Sequence, residues 1–535
     1  MERTKKLPVK SIHPIAILLF ILGITAVVYL PSLQNQFTNW DDQKHLLETP
    51  LVRSLAPSNI VQIFKSIVND TYIPLTMLTY AFEYHFFGLN PFIYHLVSLL
   101  FHLVLVGLIY ILGLRMGLNS GAAGLGALLF GIHPQHVEAV AWVTGRKDIL
   151  YSIFYIGTIL LYGRYCLTKQ KSYYFLSLTL CILSILAKPS ALSLPFILLL
   201  YDWFEKGNWS RSLCFNKLPY LIVIVPILWL TFQANAQLAT MSQNLINGFL
   251  IFIWSATFYL NKFFLPLILT PIYQLPQPIS IFHFSYLFPL IEFFVIIILI
   301  FKHRQNRLFI FSFFFYFVSI FPLLHWDTIP RTETLADRYM YLPSIGICLL
   351  LGNFLYKLFD QCKSDIIWKC LVGVGIALLL TFLFLKTWIQ TKIWKDGKTL
   401  WEHVLRYYPD QPIVYNNLAD YYLKKDIVNE KILELCRKAL SLNSNYAEAH
   451  INLGNALARL DRIDEGIPHF KEAIRINPTE GVAYANLGTA YYEQEKYSEA
   501  VVQLKTAIQF GMNIPEIHQL LERAQQKAGQ IKMQR

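Results

Sequence analysis

Charge is what this chain has least of. Only 15% of its 535 residues are Asp, Glu, Lys or Arg, where a soluble globular protein carries about 25%. With 55% of residues hydrophobic, that shortage excludes a wholly water-soluble protein. Cysteine is also scarce: there are seven, mostly inside or beside apolar runs and with no C-x-x-C pair, so neither a metal framework nor a disulfide framework is implied. The net charge of +12 is not a nucleic-acid footprint. Its Lys and Arg sit in short loops between apolar runs, at Lys169-Gln170-Lys171, Lys206 to Arg211, Lys302-His303-Arg304 with Arg307, and Lys357 to Lys369. Charge placed this way sets membrane orientation. No small-residue cleavage site follows the first apolar run, residues 13–30. With Arg3, Lys5, Lys6 and Lys10 ahead of it against Glu2, the start reads as an uncleaved signal anchor whose N-terminus is cytoplasmic.

Apolar runs are what the chain has instead. They lie at 13–30, 92–112, 121–132, 149–165, 173–187, 191–203, 218–232, 249–269, 284–301, 308–324, 339–355 and 368–388, and predict an all-α, polytopic membrane domain. Several fall short of the roughly 20 residues of an ordinary crossing, which implies tilt or local thinning. The glycines opening run 121–132 predict close helix packing. Pro266, Pro271, Pro276 and Pro278 interrupt the region after residue 249. A broken or re-entrant helix there is tolerated where it lines a cavity. Run 249–269 then either enters and leaves on one side or is paired with another crossing, which gives about eleven net crossings and an outer C-terminus. Between the first two runs, residues 55–68 and 72–87 read as helices lying in the membrane interface.

Near residue 391 the composition turns polar. His450, Leu453, Gly454, Leu457, Gly466, Phe470, Ala473 and Pro478 stand at the consensus positions of a tetratricopeptide repeat. Tyr484, Leu487, Gly488, Tyr491, Ala500, Leu504 and Ala507 repeat them 34 residues on. A looser copy holds Tyr415, Leu418, Ala419, Tyr422, Leu435 and Ala439, with one extra residue before the next repeat. Residues 401–408 resemble half a repeat and 514–528 a capping helix. The expected organisation is a membrane domain over 1–390 and a soluble repeat solenoid over 391–535.

The chemistry concentrates at a few points. Phe37-Thr38-Asn39-Trp40-Asp41-Asp42-Gln43 follows the first run, and Trp40 is a residue that sits at headgroup level. Two adjacent acids there are either a solvated loop or a used pair, and these residues alone leave both open. His133, His136 and Glu138 suggest three metal ligands. Their spacing does not bring all three to one helical face, because Pro134 starts a new helix. Hydrogen bonding within a pocket, or a structural turn, is the expected role instead. Arg146-Lys147-Asp148, Lys188-Pro189 and Asp337-Arg338-Tyr339 each open or close a run.

Together these segments resemble the transmembrane and tetratricopeptide repeat O-mannosyltransferases, of the GT-C glycosyltransferase superfamily, in a bacterial-type version. The resemblance rests on Asn39-Trp40-Asp41-Asp42, Tyr72-Ile73-Pro74-Leu75-Thr76 and Phe86-Phe87-Gly88-Leu89-Asn90-Pro91. It continues with residues 131–138 through Trp142, Arg146-Lys147-Asp148, Lys188-Pro189, and Ala336-Asp337-Arg338-Tyr339-Met340-Tyr341-Leu342-Pro343. It is weak between 218 and 320, and the animal members carry longer repeat arrays.

The resemblance implies transfer of a sugar, mannose in that family, from a polyprenyl-phosphate carrier to an acceptor hydroxyl at the outer membrane face. Asp41 and Asp42 become the catalytic acids, one a general base and the other an orienting group, with the choice between them open. Arg338, then Arg146 and Lys147, become cations for the carrier phosphate. His133, His136, Glu138, Asp337 and Tyr339 become pocket residues. No cofactor or metal is expected, since fixed cations can stabilise a phosphate leaving group. The expected partners are the polyprenyl-phosphate sugar, membrane lipid, and an acceptor protein or glycan held in the repeat groove, and no nucleic acid. The expected location is a bacterial inner membrane with the repeats outside. The alternative is a membrane-anchored scaffold without catalysis, although an anchor needs one span and no acids at its end. A transporter ranks lower, because transport sites lie near the midplane.

Overall fold

Residue 13 onward is apolar without interruption, and the backbone closes on itself as the helix His13–Tyr29, tightening into a narrower turn at Leu30–Gln34 where Pro31 removes a donor. The computed structural model describes residues 13–69, 71–207, 215–235, 245–324, 335–361, 365–427 and 429–534. The basic residues Arg3, Lys5, Lys6 and Lys10, and part of the loop from Lys206 to Arg211, lie outside the described residues. Among the described residues there is no β-strand, only an isolated bridge between Val68 and Thr71. The chain divides into two compact units, Met1–Asp396 and Gly397–Arg535.

Among the described residues of the first unit, five helices are long and apolar enough to cross a membrane: Pro14–Gln34, Pro91–Arg115, Val143–Thr168, Phe284–Lys302 and Ile366–Ile393. Four shorter apolar helices accompany them among the described residues: Ser120–Gly131, Lys171–Ala187, Leu218–Ile227 and Arg307–Leu323. The glycines do what the sequence suggests. A Cβ on Gly352 would run into the Gly126 nitrogen, so Ser120–Gly131 and Ser344–Gln361 can touch only because both positions lack one. That second helix begins five residues later than the apolar run at 339 suggests. Pro343 disfavours helical backbone at the residue before it, and 337–340 form a separate short turn.

Helix Leu245–Phe264 ends ahead of the proline cluster, and residues 265–283 run without helix. Leu269, Thr270, Ile272 and Tyr273 are nevertheless buried. Their backbone is held from outside the segment, by Gln390 Nε2 donating to the Leu269 carbonyl at 3.1 Å and Lys386 Nζ to that of Leu267 at 2.8 Å. Residues 55–68 and 72–87 yield the helices Pro57–Lys65 and Pro74–Phe87, both started by proline at the first turn.

The second unit is a run of helix pairs: Pro412–Lys424 with Glu430–Leu442, Ala447–Arg459 with Ile463–Ile476, and Gly481–Glu493 with Tyr497–Gln509. Gly397–Tyr407 precedes them and Pro515–Gln534 follows. Each inner turn places one left-handed residue, Asp426, Asp461 and Glu495. Their spacing reproduces the single inserted residue of the first repeat. Gly454 lies under Phe470 and Gly488 under Leu504, too close for any side chain at either glycine.

Candidate functional site

Asp41 and Asp42 open a helical turn just after Trp40; Asp42 has φ −56° and ψ −28°. Neighbours on such a turn project roughly 100° apart, so the two carboxylates diverge through helical rather than extended backbone. Asp42 points inward and is 1% exposed. Its Oδ2 accepts from the Thr38 nitrogen at 2.8 Å and the Thr38 hydroxyl at 2.9 Å. Its Oδ1 accepts from the Thr144 nitrogen at 3.1 Å and the Thr144 hydroxyl at 2.5 Å. Burial pushes its pKa up, and these four donors oppose that shift.

Asp41 is less enclosed, at 9% exposure. Its Oδ1 accepts from Asn69 Nδ2 at 3.0 Å, and its Oδ2 lies 3.9 Å from Lys147 Nζ. His45, one turn on, contacts the Asp41 carbonyl through Nδ1 at 3.1 Å. Burial, helped by the Lys147 charge, pushes its pKa down to about 4, so the ring is neutral near pH 7.

The cations differ from one another. Arg146 is fully buried, donating to Glu83 Oε1 at 2.6 Å, the Tyr94 carbonyl at 2.6 Å and Ser98 Oγ at 3.1 Å, with its guanidinium 4.9 Å from the Tyr80 ring centre. Lys147, the next residue, is 5.7 Å from the Trp142 ring centre. Lys188 pairs with Asp148 Oδ1 at 2.5 Å and lies 5.2 Å from the Tyr339 ring. Burial, then the Arg338 and Lys147 charges, bring its pKa down to about 8 against the opposing pull of Asp148. Arg338 forms an ion pair with Glu138 Oε1, while its backbone nitrogen donates to Glu138 Oε2 at 3.0 Å. The same guanidinium is 5.1 Å from the Trp142 ring and 5.0 Å from that of Tyr339.

Trp142 is thus the common neighbour. Its indole stacks with Trp40 at 5.5 Å, from the acid-bearing segment, and with Trp394 at 5.6 Å. Lys147 and Arg338 both approach this indole; Asp41 lies against Lys147, and Tyr339 against Arg338 and Lys188. Asp42 and Arg146 are committed to internal partners. Asp337 accepts from the Tyr273 hydroxyl at 2.8 Å, and burial together with the Glu138 charge lifts its pKa well above the carboxylate range.

His133 and His136 have protein partners at every ring nitrogen. His133 uses the Phe263 carbonyl at 2.9 Å and the Gln135 nitrogen at 3.2 Å; His136 uses the Phe130 carbonyl at 2.8 Å and Ser344 Oγ at 2.9 Å. Burial pushes His133 down to about 3 and His136 well below its ordinary value. Glu138 is held by Arg338. Among the described residues no three His, Cys, Asp or Glu side chains are grouped to hold a metal ion.

The protein O-mannosyl-transferase F38B6.6 of Caenorhabditis elegans is 26% identical over 437 residues, covering 75% of this chain and 59% of that protein. The human protein O-mannosyl-transferase TMTC1 is 26% identical over 518 residues, covering 81% of this chain and 56% of its own length. This chain resembles the protein O-mannosyl-transferases. It spans only between 53% and 59% of the length of the first three such relatives. The tetratricopeptide repeat family model matches residues 445–510. Among solved structures, the Archaeoglobus fulgidus oligosaccharyltransferase overlaps 71% of this chain and 55% of its own at 13% identity and a TM-score of 0.40. The MamA protein overlaps 25% of this chain and 72% of its own at 22% identity and a TM-score of 0.23.

Thr144, Asn69, His45 and Trp394 escape a reading of the sequence. Nothing local marks them: Thr144, Asn69 and Trp394 matter through partners dozens to hundreds of residues away, and His45 through a turn on Asp41 that only the fold shows. Asp148 had a signal, its place in the Arg146-Lys147-Asp148 trio, but only the fold pairs it with Lys188.

Proposed function

We propose that this chain is an integral-membrane glycosyltransferase, moving mannose from a polyprenyl-phosphate carrier to a hydroxyl on an acceptor protein. The observation that carries this reading is the Asp41 carboxylate 3.9 Å from Lys147, a cation that shares the Trp142 ring with Arg338. In the proposed reaction the acceptor oxygen attacks the anomeric carbon as Asp41 takes its proton. The bond from that carbon to the phosphate oxygen breaks, and polyprenyl phosphate leaves with the electron pair. Arg338, Lys188 and Lys147 offset the charge that develops there, and the guanidinium suits two phosphate oxygens at once. Asp42 holds the loop to Thr144, and Glu138 and Asp148 hold two of the cations. No metal is invoked.

The reading includes about eleven crossings of a bacterial inner membrane, with the acids and the repeats on the outer face and the repeats receiving the acceptor protein. The similarity to the named O-mannosyl-transferases supports the sugar and the acceptor class.

The test is sugar transfer by the purified full chain in lipid nanodiscs, with polyprenyl-phosphate mannose and an unfolded secreted protein as acceptor. Asp41→Asn should stop transfer and leave carrier binding near normal. Arg338→Ala should raise the donor KM and lower kcat together. Full turnover in Asp41→Asn would remove the base assignment. A wild-type protein that moves no sugar from any polyprenyl phosphate would remove the reading itself.

A further inference from the structure

A groove of about 380 Å³ opens on the first unit between helices Pro74–Phe87 and Pro91–Arg115. Leu75, Leu78, Phe82, Phe86, Val97 and Phe101 line it. Glu83 also borders it but lends only its carbons. One carboxylate oxygen is paired with Arg146, and the other is shielded from solvent and has no partner. The accessible lining is therefore apolar, and nothing in it would recognise a polar ligand.

Its position ties it to the proposed site. Leu75 neighbours Thr76, whose hydroxyl donates to the Ala187 carbonyl at 3.0 Å, one residue before Lys188. Thr79 and Glu83 both accept from Arg146, one residue before Lys147. The groove thus begins beside the segments bearing two of the three site cations. It runs from Leu75 toward Phe87, about 18 Å along the helix at 1.5 Å per residue. Among the described residues, none lining the comparable groove between Phe196 and Val318 has a side-chain hydrogen bond to either cation-bearing segment.

The geometry points to this groove as the seat of the carrier's hydrocarbon chain, an isoprenoid lipid phosphate whose head reaches Lys188 and Lys147. This rests on the glycosyltransferase reading for the identity of the head and adds where the tail lies. An apolar chain gains by leaving no gap along aromatic and branched walls. The exposed Phe82 and Phe86 form the outer lip of the groove.

The decisive experiment uses the full chain in nanodiscs and a long-chain polyprenyl phosphate, without sugar, bearing a diazirine on its second isoprene unit. Cross-links should fall within residues 75–101 and be competed by unlabelled polyprenyl phosphate. Cross-links confined to residues 196–203 and 310–318 would overturn the assignment. So would equal labelling by a fatty alcohol of the same length, which would mark an ordinary lipid-facing surface. Independently, Val97→Trp should raise the KM for a long-chain donor about tenfold, from losing roughly 60 Å² of apolar contact. The KM for a ten-carbon donor should not move. An equal shift for both donors would also overturn the groove. Cross-linking here by a protein that transfers no sugar would end the glycosyltransferase reading and leave the groove standing; transfer with cross-links elsewhere would do the reverse.

Discussion

The two units of this chain are built inside out with respect to each other. In residues 1–396 the ion pairs Arg146–Glu83, Lys188–Asp148, Arg338–Glu138 and Lys217–Asp202 are all buried, while Leu19, Phe282, Phe284 and Trp368 stand more than 60% exposed. In residues 397–535 the pairs Arg459–Asp426, Arg462–Glu465 and Arg475–Glu472 lie at the surface, and the interior is mostly alanine, leucine and isoleucine, with Phe470. An apolar exterior is stable only against lipid. A buried charge pair adds little net stability over an apolar pair, yet breaking one is expensive. Of these buried pairs, Lys188–Asp148 and Arg338–Glu138 carry cations of the proposed reaction, while the surface charge of the second unit suits solubility.

The sharpest way to break the comparison is at the two acids. Asp41→Asn should lower turnover by at least about a hundredfold, the scale of a lost general base, with the melting temperature of the first unit unchanged. Asp42→Asn should do the opposite in kind. Its amide would set an N–H against the Thr38 or Thr144 donors, which should cost about 2–4 kcal/mol of stability. Thermal unfolding in nanodiscs beside a transfer assay separates the two, and a stable, inactive Asp42→Asn would exchange their roles.

Next in size is Arg146→Met, which leaves Glu83 buried without its cation. The first unit should lose about 3–5 kcal/mol. Adding Glu83→Gln should recover much of it. A double variant no better than the single would show that packing on Tyr80, not charge, is what Arg146 supplies.

A smaller effect is expected from pH. The folded pKa of Lys188 is about 8, below the lysine reference value near 10.4. The lysine is charged below pH 8 and loses its charge above, so carrier binding should weaken as pH rises through 8. Stability runs the other way: between about 8 and 10.4 the unfolded chain binds more protons, so this group makes the fold more stable as pH rises. Asp148→Asn removes the charge that holds the pKa up, and should move the fall in carrier binding to lower pH. Binding of polyprenyl phosphate measured from pH 6 to 9.5 reads this directly; an unmoved midpoint would detach Lys188 from the carrier.

Least of all should happen in the second unit. Arg475→Ala removes a solvated pair with Glu472, and the melting of the repeats should stay within the scatter of the measurement. A clear loss there would contradict the assignment of its charge to solubility.

Composition and period mark two kinds of sequence in the chain. Unbroken apolar runs admit only helices in lipid, because each backbone group must find its partner within the segment. A 34-residue recurrence of large and small side chains admits only stacked helix pairs. The same local logic marked Asp41, Asp42, Lys147, Glu138 and Arg338 as chemically unusual, since charge beside an apolar run needs a reason. It could not rank them. Whether Asp42 or Asp41 faces inward depends on Thr144, 102 residues away in the chain. Whether Arg146 or Lys147 is committed depends on Glu83, Ser98 and Tyr94. His133 and His136 read in the sequence as hydrogen-bonding pocket residues or part of a turn, and which groups they bond, the carbonyls of Phe263 and Phe130 and the Ser344 hydroxyl, only the fold supplies. Trp142 becomes a common neighbour only when Trp40 and Trp394 are brought against it. A sequence records which groups must be satisfied; which partner satisfies each, and which group is left to act, is decided by contacts between segments that the chain keeps far apart.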